Sequence, residues 1–369
     1  MQDKMFFREM ARDGARDFKA GRIDRRHFLA LCAMAGAVPH LVAIGDAEAA
    51  ANAIVFWNWG GDAVKCHTQS YGAPFSKDTG LGFRIDSSGP LQGKIKQMVE
   101  SGHVTADVAD ADAFDGVALG KMGHLEPIDY SIVDKKKVLD GYALEYSVSI
   151  TFYGYGFVYD TEKFKDNPPT TWADFWDLKK YPGKRSLYKW ANGAIEAALM
   201  ADGVAKEQVY PCDVDRALGK IKQIKADTIY WGSASESQQM IVNGEVSMGM
   251  VWLSRAKFIE DDTEGRYRFN MNQAIAMPGA FIVPKGNPAG RETVMKFLAS
   301  CQKPERQLEM LNCQGYTPGN PETYSLIPDH LKRYIITSKE NLPKVLLNDP
   351  SWWASNGDNT VNKYLEAIS

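Results

Sequence analysis

An excess of either charge is the first thing this sequence lacks: 43 lysines and arginines meet 46 aspartates and glutamates in 369 residues, a formal net charge of −3. A chain that neutralises nucleic-acid phosphates carries a basic patch or run, so that class of partner is set aside. Cysteine is sparse, with five residues at positions 32, 66, 212, 301 and 313. There is no CxxC pair and no histidine pair at zinc-ligand spacing, which argues against a metal cage. Cys301 and Cys313 form a disulfide if their α-carbons come within about 7 Å, a distance that sequence leaves open. Histidine is nearly as scarce, and His67, His103, His124 and His330 have no spacing that suggests a shared metal. A GxSxG elbow, an HExxH pair, a phosphate-binding GxxxxGK and a helix-opening GxGxxG are all missing. The chain therefore reads as a non-enzyme with no cofactor. Low-complexity tracts and internal repeats are also absent.

What remains is an ordinary globular composition, 44% hydrophobic and 24% charged, in a chain long enough to divide into two lobes. Nine tryptophans and an aromatic content of 11% exceed what a core usually requires, and flat amphipathic rings often line small-molecule clefts.

The first fifty residues read as an address. A polar, charged stretch to residue 24 is followed by Asp24-Arg25-Arg26-His27-Phe28-Leu29 and a weakly apolar, alanine-rich run to about Gly45. Arg25 and Arg26 with the apolar residues after them resemble the twin-arginine export signal, and Ala47-Glu48-Ala49 offers a small-x-small cleavage pattern. Residues 1–49 are read as a cleaved signal and the mature protein as periplasmic. A membrane anchor is disfavoured by Pro39 and His40. Acylation of Cys32 is disfavoured by Leu31 before it.

From Ala53 onward strands and helices alternate, which predicts an α/β architecture. Ile54 to Trp57 reads as a strand, and Leu91, Ile95, Met98 and Val99 have helical spacing. Asp107-Val108-Ala109 then completes a β-α-β unit. Thr151 to Tyr159 is aromatic and β-rich. Thr171 is a predicted helix cap, Phe164, Trp172, Phe175 and Trp176 are predicted core, and Ser235 to Gln238 has capping-box spacing. Met277-Pro278-Gly279 is predicted to break a crossing segment, and the last forty residues to be mostly helical.

Several pieces carry a family signal together: Trp57-Asn58-Trp59, Phe75 to Gly80, Leu125-Glu126-Pro127-Ile128-Asp129, Gly156-Phe157-Val158-Tyr159-Asp160, Thr171 to Phe175, and Asn243-Gly244-Glu245 leading to Met250-Val251-Trp252. In this order they resemble the spermidine/putrescine-binding family of periplasmic proteins, within the wider type II solute-binding fold. The resemblance runs from about Ala53 to the C-terminus. It implies two α/β lobes joined by crossing strands, with ligand held between them by hinge closure and presented to an ABC permease in the inner membrane. Lobe I is placed at 54–155 plus 280–325, lobe II at 156–273 plus 326–369, and the crossing segment at 274–279. The partners implied are a small-molecule ligand and the permease, and the protein is read as a monomer.

The polyamine binders of that family hold ammonium groups with carboxylates, because a buried cation needs a paired charge. Aligned on the resemblance, their acids fall here at Gly61, near Asn192, at Arg255 and at Gly279, with Asp62 adjacent to Gly61 as a one-residue-shifted substitute. A diamine would meet an arginine. Facing the cleft, Arg255 calls for a carboxylate or phosphate; otherwise it is an ion-pair partner of Asp112 or Glu236, or a solvated surface residue. Asp110, Asp112, Asp115 and Glu236 remain as candidates for an amine, with helix-dipole complementarity as the plainer role for Glu236 beside Ser235.

Trp59, Tyr153, Tyr155, Trp190 and Trp252 match cleft-lining segments, and Gly60, Gly61, Asn192, Ser235 and Gly279 complete the candidate set. If Arg255 and an acid both serve, the ligand is a zwitterion such as an amino acid or ω-amino acid. Polyamine binding is the alternative. Ferric-ion binding through Tyr153 and Tyr155, two apart on one strand face, is the second.

Overall fold

The computed structural model describes residues 53–369, so the export reading of residues 1–49, with Arg25 and Arg26, lies outside the described residues. β1 (Ala53–Trp57) leads through Gly60 and Gly61, both at positive φ, into α1 (Asp62–His67). A π-helical turn then passes to α2 (Ala73–Thr79), which ends at a left-handed Gly80. β2 (Gly82–Asp86), α3 (Gln92–Glu100), β3 (Val108–Asp112) and α4 (Ala113–Lys121) follow, and then the long β4 (Val148–Asp160). Next come α5 (Trp172–Trp176), β5 (Arg185–Tyr188), α6 (Ala194–Ala201), α7 (Val214–Lys222) and β6 (Thr228–Trp231). α8 (Ala234–Val242), β7 (Met248–Trp252), α9 (Leu253–Asp262) and the long β8 (Tyr267–Ile282) continue the chain. It closes with α10 (Arg291–Cys301), α11 (Pro304–Gln314), β9 (Thr317–Pro318), α12 (Asp329–Lys332), β10 (Leu346–Leu347) and α13 (Pro350–Ile368).

The strands lie in the order β2-β1-β3-β8-β4-β7-β5-β6, with β10 on β8 and β9 on β4. β1 pairs parallel with β3, and β5 parallel with β6 and β7, while β4 and β8 run antiparallel through the middle. These two strands serve two cores. Val148, Ile150 and Phe152 of β4 join one core with Phe56, Phe281 and Phe297, whereas Tyr155 and Phe157 join a second with Leu187, Ile195 and Trp231. Alternation does the same on β8: Ala274 and Ala276 belong to the first core, Ile275 and Met277 to the second. Phe164, Trp172, Phe175 and Trp176 are buried in the second core, as their spacing predicts.

Three expectations are corrected. β8 runs unbroken through Pro278, which faces Phe152 of β4. On its other side β3 pairing ends at Gly279 and β10 pairing at Ala276, so the missing N–H falls where a second neighbour is absent. The cap of α8 is Ser233, whose side chain accepts from Glu236 N, and not Ser235. Finally, Cys313 is bonded to Cys66, with α-carbons 5.6 Å apart, and Cys301 is a buried free thiol on α10. The last forty residues are mostly helical, as predicted, with α13 alone taking Pro350–Ile368 behind turns and the short α12 and β10.

Candidate ligand-binding cleft

In open α/β sheets, ligands sit beyond the carboxyl ends of parallel strands, and most of the candidate residues lie there. The β1–α1 loop carries Trp59, Gly60 and Gly61. It folds back over β3, with Trp59 Nε1 donating to the Asp110 carbonyl at 3.0 Å and Gly60 N donating to Asn58 Oδ1 at 2.9 Å. At the end of β3, Asp112 is in register with Gly279 of β8, which is in register with Thr151 of β4. A Cβ on Gly279 would stand 3.1 Å from Thr151 Oγ1 and 3.7 Å from the Tyr153 ring, so glycine keeps the floor beside Asp112 and Tyr153 low.

The acids on this floor have unequal freedom. Asp115 is committed to local structure: one carboxylate oxygen accepts from Asp112 N at 2.9 Å, closing the capping box of α4, and the other from Gln92 Nε2 at 2.6 Å. Burial pushes its carboxyl up to about 6. The Asp112 carboxyl is driven well above the ordinary range, first by burial and then by the charge of Asp115, while the neighbouring Tyr153 hydroxyl acts in the opposite direction. Asp110, also raised by burial, faces Nε2 of the buried His67 at 3.6 Å.

An aromatic wall completes the other side. Tyr153 meets Tyr155 edge-on at 6.0 Å, Tyr155 stacks on Tyr188 at 5.8 Å, and Tyr188 stacks on Trp231 at 4.5 Å. Trp252 stands against Tyr188 and Trp231 at 5.2 and 5.1 Å, and its indole N–H has no partner. Asn192 is buried. The next residue, Gly193, has φ 78°, and a Cβ there would lie 2.5 Å from the Tyr155 ring, so only glycine allows that approach. Trp190 projects outward and is half exposed.

Arg255 sits in the first turn of α9, directly after Trp252. Its acid partner is Asp62, at 3.8 Å, and not Asp112 or Glu236. Tyr316, reached through Gly315, packs its ring 6.4 Å from that of Tyr153. Burial raises its hydroxyl most, the carboxylates of Asp110 and Asp112 raise it further, and Arg255 opposes them. Tyr316 thus feels both signs of charge. Tyr188, Trp231 and Tyr316 are additions that sequence reasoning did not single out. Tyr188 had a local signal, since it closes a strand in the same short segment as Trp190, but nothing near Tyr316 in sequence marks it.

Ser235 and Glu236 stand apart from this constellation. Both are exposed, and Glu236 Oε2 accepts from Gly232 N at 2.7 Å in the turn before α8. Among the described residues no cluster of three or more histidine, cysteine or acidic side chains is arranged to hold a metal ion.

Known proteins resemble this chain along most of its length. A gamma-aminobutyric acid-binding protein of Pseudomonas aeruginosa is 26% identical over 332 residues, covering 86% of this chain and 91% of the relative. A spermidine/putrescine-binding periplasmic protein of Haemophilus influenzae is 22% identical over 293 residues, 76% of each chain. The solved structure of the Atu4243–GABA receptor superimposes with a TM-score of 0.81 at 31% identity, over 86% of this chain and 98% of that one. The α/β fold is that of the type II periplasmic binding proteins. Residues 70–336 match the model of the bacterial extracellular solute-binding proteins, and the chain belongs to that family.

Proposed function

We propose that this protein captures a small zwitterion of the ω-amino acid class, with gamma-aminobutyrate as its type, and delivers it to an ABC permease. The carrying observation is the course of the Gly315–Tyr316 segment: a Cβ on Gly315 would stand 3.1 Å from Ser254 Cα, next to Arg255, while the Tyr316 ring lies 6.4 Å from that of Tyr153, the neighbour of Asp112. A ligand with an ammonium at one end and a carboxylate at the other matches an acid and an arginine brought to one segment in this way. Arg255 is suited to the carboxylate because a guanidinium offers paired donors in a plane, and this one makes only a long ion pair with the exposed Asp62. Asp112 is suited to the ammonium. Its raised carboxyl reflects an uncompensated burial that a ligand cation would relieve. Tyr153, Tyr155, Tyr188 and Trp252 supply flat surface for the methylene chain.

The halves flanking β4 and β8 act as lobes that close on ligand, with residues 54–155 plus 280–325 opposing 156–273 plus 326–369. No reaction and no cofactor are assigned. The protein works as a periplasmic monomer, exported by the twin-arginine route under the signal at residues 1–49, without nucleic-acid partners.

Polyamine capture is the second reading, favoured by the three acids on the β3–α4 wall and by the polyamine-binding relative. Arg255 counts against it. Isothermal titration of the purified protein with 4-aminobutanoate, 5-aminopentanoate, putrescine, spermidine and ferric citrate decides. Saturable binding of an ω-amino acid is the expected result, and binding of putrescine alone would replace it with the polyamine reading. A tyrosinate-to-iron absorption band on adding ferric ion would reassign Tyr153 and Tyr155 to metal.

A further inference from the structure

His67 is 2% exposed and lies one turn into the chain from the loop that carries Trp59 to Asp62. Its Nδ1 is 2.9 Å from the carbonyl oxygen of Ala63 in the preceding turn. A carbonyl only accepts, so Nδ1 carries the hydrogen and the tautomer is fixed. Nε2 is then the atom that faces Asp110 Oδ2 at 3.6 Å. A bare Nε2 lone pair against an ionised carboxylate is repulsive, whereas one proton held between them leaves a favourable pair. Whether that proton resides on Nε2 or on the carboxyl, the pair has no net charge.

The imidazole is set among aromatic rings. Phe56 and Phe281 flank the imidazole, at ring distances of 5.0 and 6.1 Å, and Tyr71 stands 5.9 Å away on the following turn. Asp110 is further faced by Asp112 from its own strand and by Tyr316 from the segment after α11. The raised carboxyl of Asp110, with His67 as the group opposing burial, accords with this arrangement.

We propose that His67 is a specificity-determining residue: by cancelling the charge of Asp110 it leaves Asp112 as the one acid of the β3 wall free to meet a ligand cation. Asp115 is already tied to Asp112 N and Gln92. The cleft then accepts one ammonium and rejects a second, so a zwitterion is chosen over the diamine of equal length. This rests on the zwitterion reading above. It gives a reason, beyond Arg255, for an acid-rich wall to refuse a polyamine.

The test is titration of the full chain and its His67→Gln, Asp110→Asn and double variants with 4-aminobutanoate and putrescine, which share a four-carbon spacing. Removing the imidazole should raise putrescine affinity relative to 4-aminobutanoate at least tenfold. The gain should vanish in the double variant. A folded His67→Gln protein with an unchanged ligand ratio overturns the proposal. Nitrogen and carboxyl-carbon NMR of the wild type gives a check that needs no variant: one proton shared by His67 and Asp110 at pH 7 is expected, and an unprotonated imidazole beside an ionised carboxylate overturns the assignment. If the wild type binds no ω-amino acid, the functional reading fails instead, whatever the state of this pair.

Discussion

The guanidinium of Arg255 stands 3.8 Å from the carboxylate of Asp62, joining the first turn of α9 to the first residue of α1. Asp62 is 81% exposed and the contact is longer than a hydrogen bond, so the pair adds less than about 1 kcal/mol to folding. Arg255→Ala should therefore leave the urea midpoint nearly unchanged. As the proposed partner of a ligand carboxylate the same residue should matter far more, because losing a desolvated charge partner costs about 2–5 kcal/mol. Titration calorimetry of Arg255→Ala should show ω-amino acid affinity falling by about 30-fold or more. Unaltered affinity would remove Arg255 from the site. Asp62→Asn should bind at least as well as the wild type, since it removes a competitor for the guanidinium.

Asp112→Asn tests the other end of the ligand. The Asp112 carboxyl is buried beside the charge of Asp115, so its neutral isostere should hold or raise the melting temperature. Ligand affinity should fall by about 2 kcal/mol or more, the cost of leaving an ammonium without its counter-charge. Stability and binding would then move in opposite directions, which a merely structural residue would not produce.

Asp115 sets a pH signature. Its carboxyl titrates at about 6 in the fold, against about 3.9 in an unfolded chain. Between those values the folded state holds more protons, so this group's contribution to stability is greatest below about pH 4 and is lost as pH rises through about 6. Subtracting the pH–stability curve of Asp115→Asn from that of the wild type should expose this decline. Binding of the proposed zwitterion should respond the other way, because an ammonium needs ionised acids on the wall. The thermal shift produced by 4-aminobutanoate should be smaller at pH 5 than at pH 7.5, and an equal shift at both values would disconnect the β3–α4 acids from binding.

The sequence made the long β4, the cap at Thr171 and the buried aromatics after Phe164 legible because each is a local pattern of period, cap or bulk. Sites brought together by register were legible only through the family resemblance: Gly279 beside Asp112 depends on β8 pairing with β3. Pro278 misled because proline is a breaker only where its N–H is needed, and here β8 has one neighbour at that point. Ser235 misled by two residues, since Ser233 offers an equally good cap and the chain geometry chose it. Tyr316 was invisible. It reaches the cleft through a short β9 pairing with β4 and a turn at Gly315, neither of which has a sequence period.

Cys66 and Cys313 are far apart in the chain, while Cys301, closer to Cys313 in sequence, ends α10 buried in the first core. Sequence proximity was the wrong guide because helices α10 and α11 present their cysteines to different neighbours. The bond fastens α1, which bears Asp62 and His67, to the end of α11, three residues before Tyr316. A non-reducing peptide map should recover the Cys66–Cys313 link and leave Cys212 and Cys301 free to alkylate after unfolding. Cys66→Ser with Cys313→Ser should cost about 2–5 kcal/mol of stability, and treating the wild type with reductant should lower its melting temperature to match. Because the bond holds two cleft-bordering segments in place, ligand affinity should fall as well, even at temperatures where the reduced protein remains folded. A reduced protein that binds as tightly as the oxidised one would limit the disulfide to a stabilising role and place the rigidity of the Tyr316 segment in its β9 pairing instead.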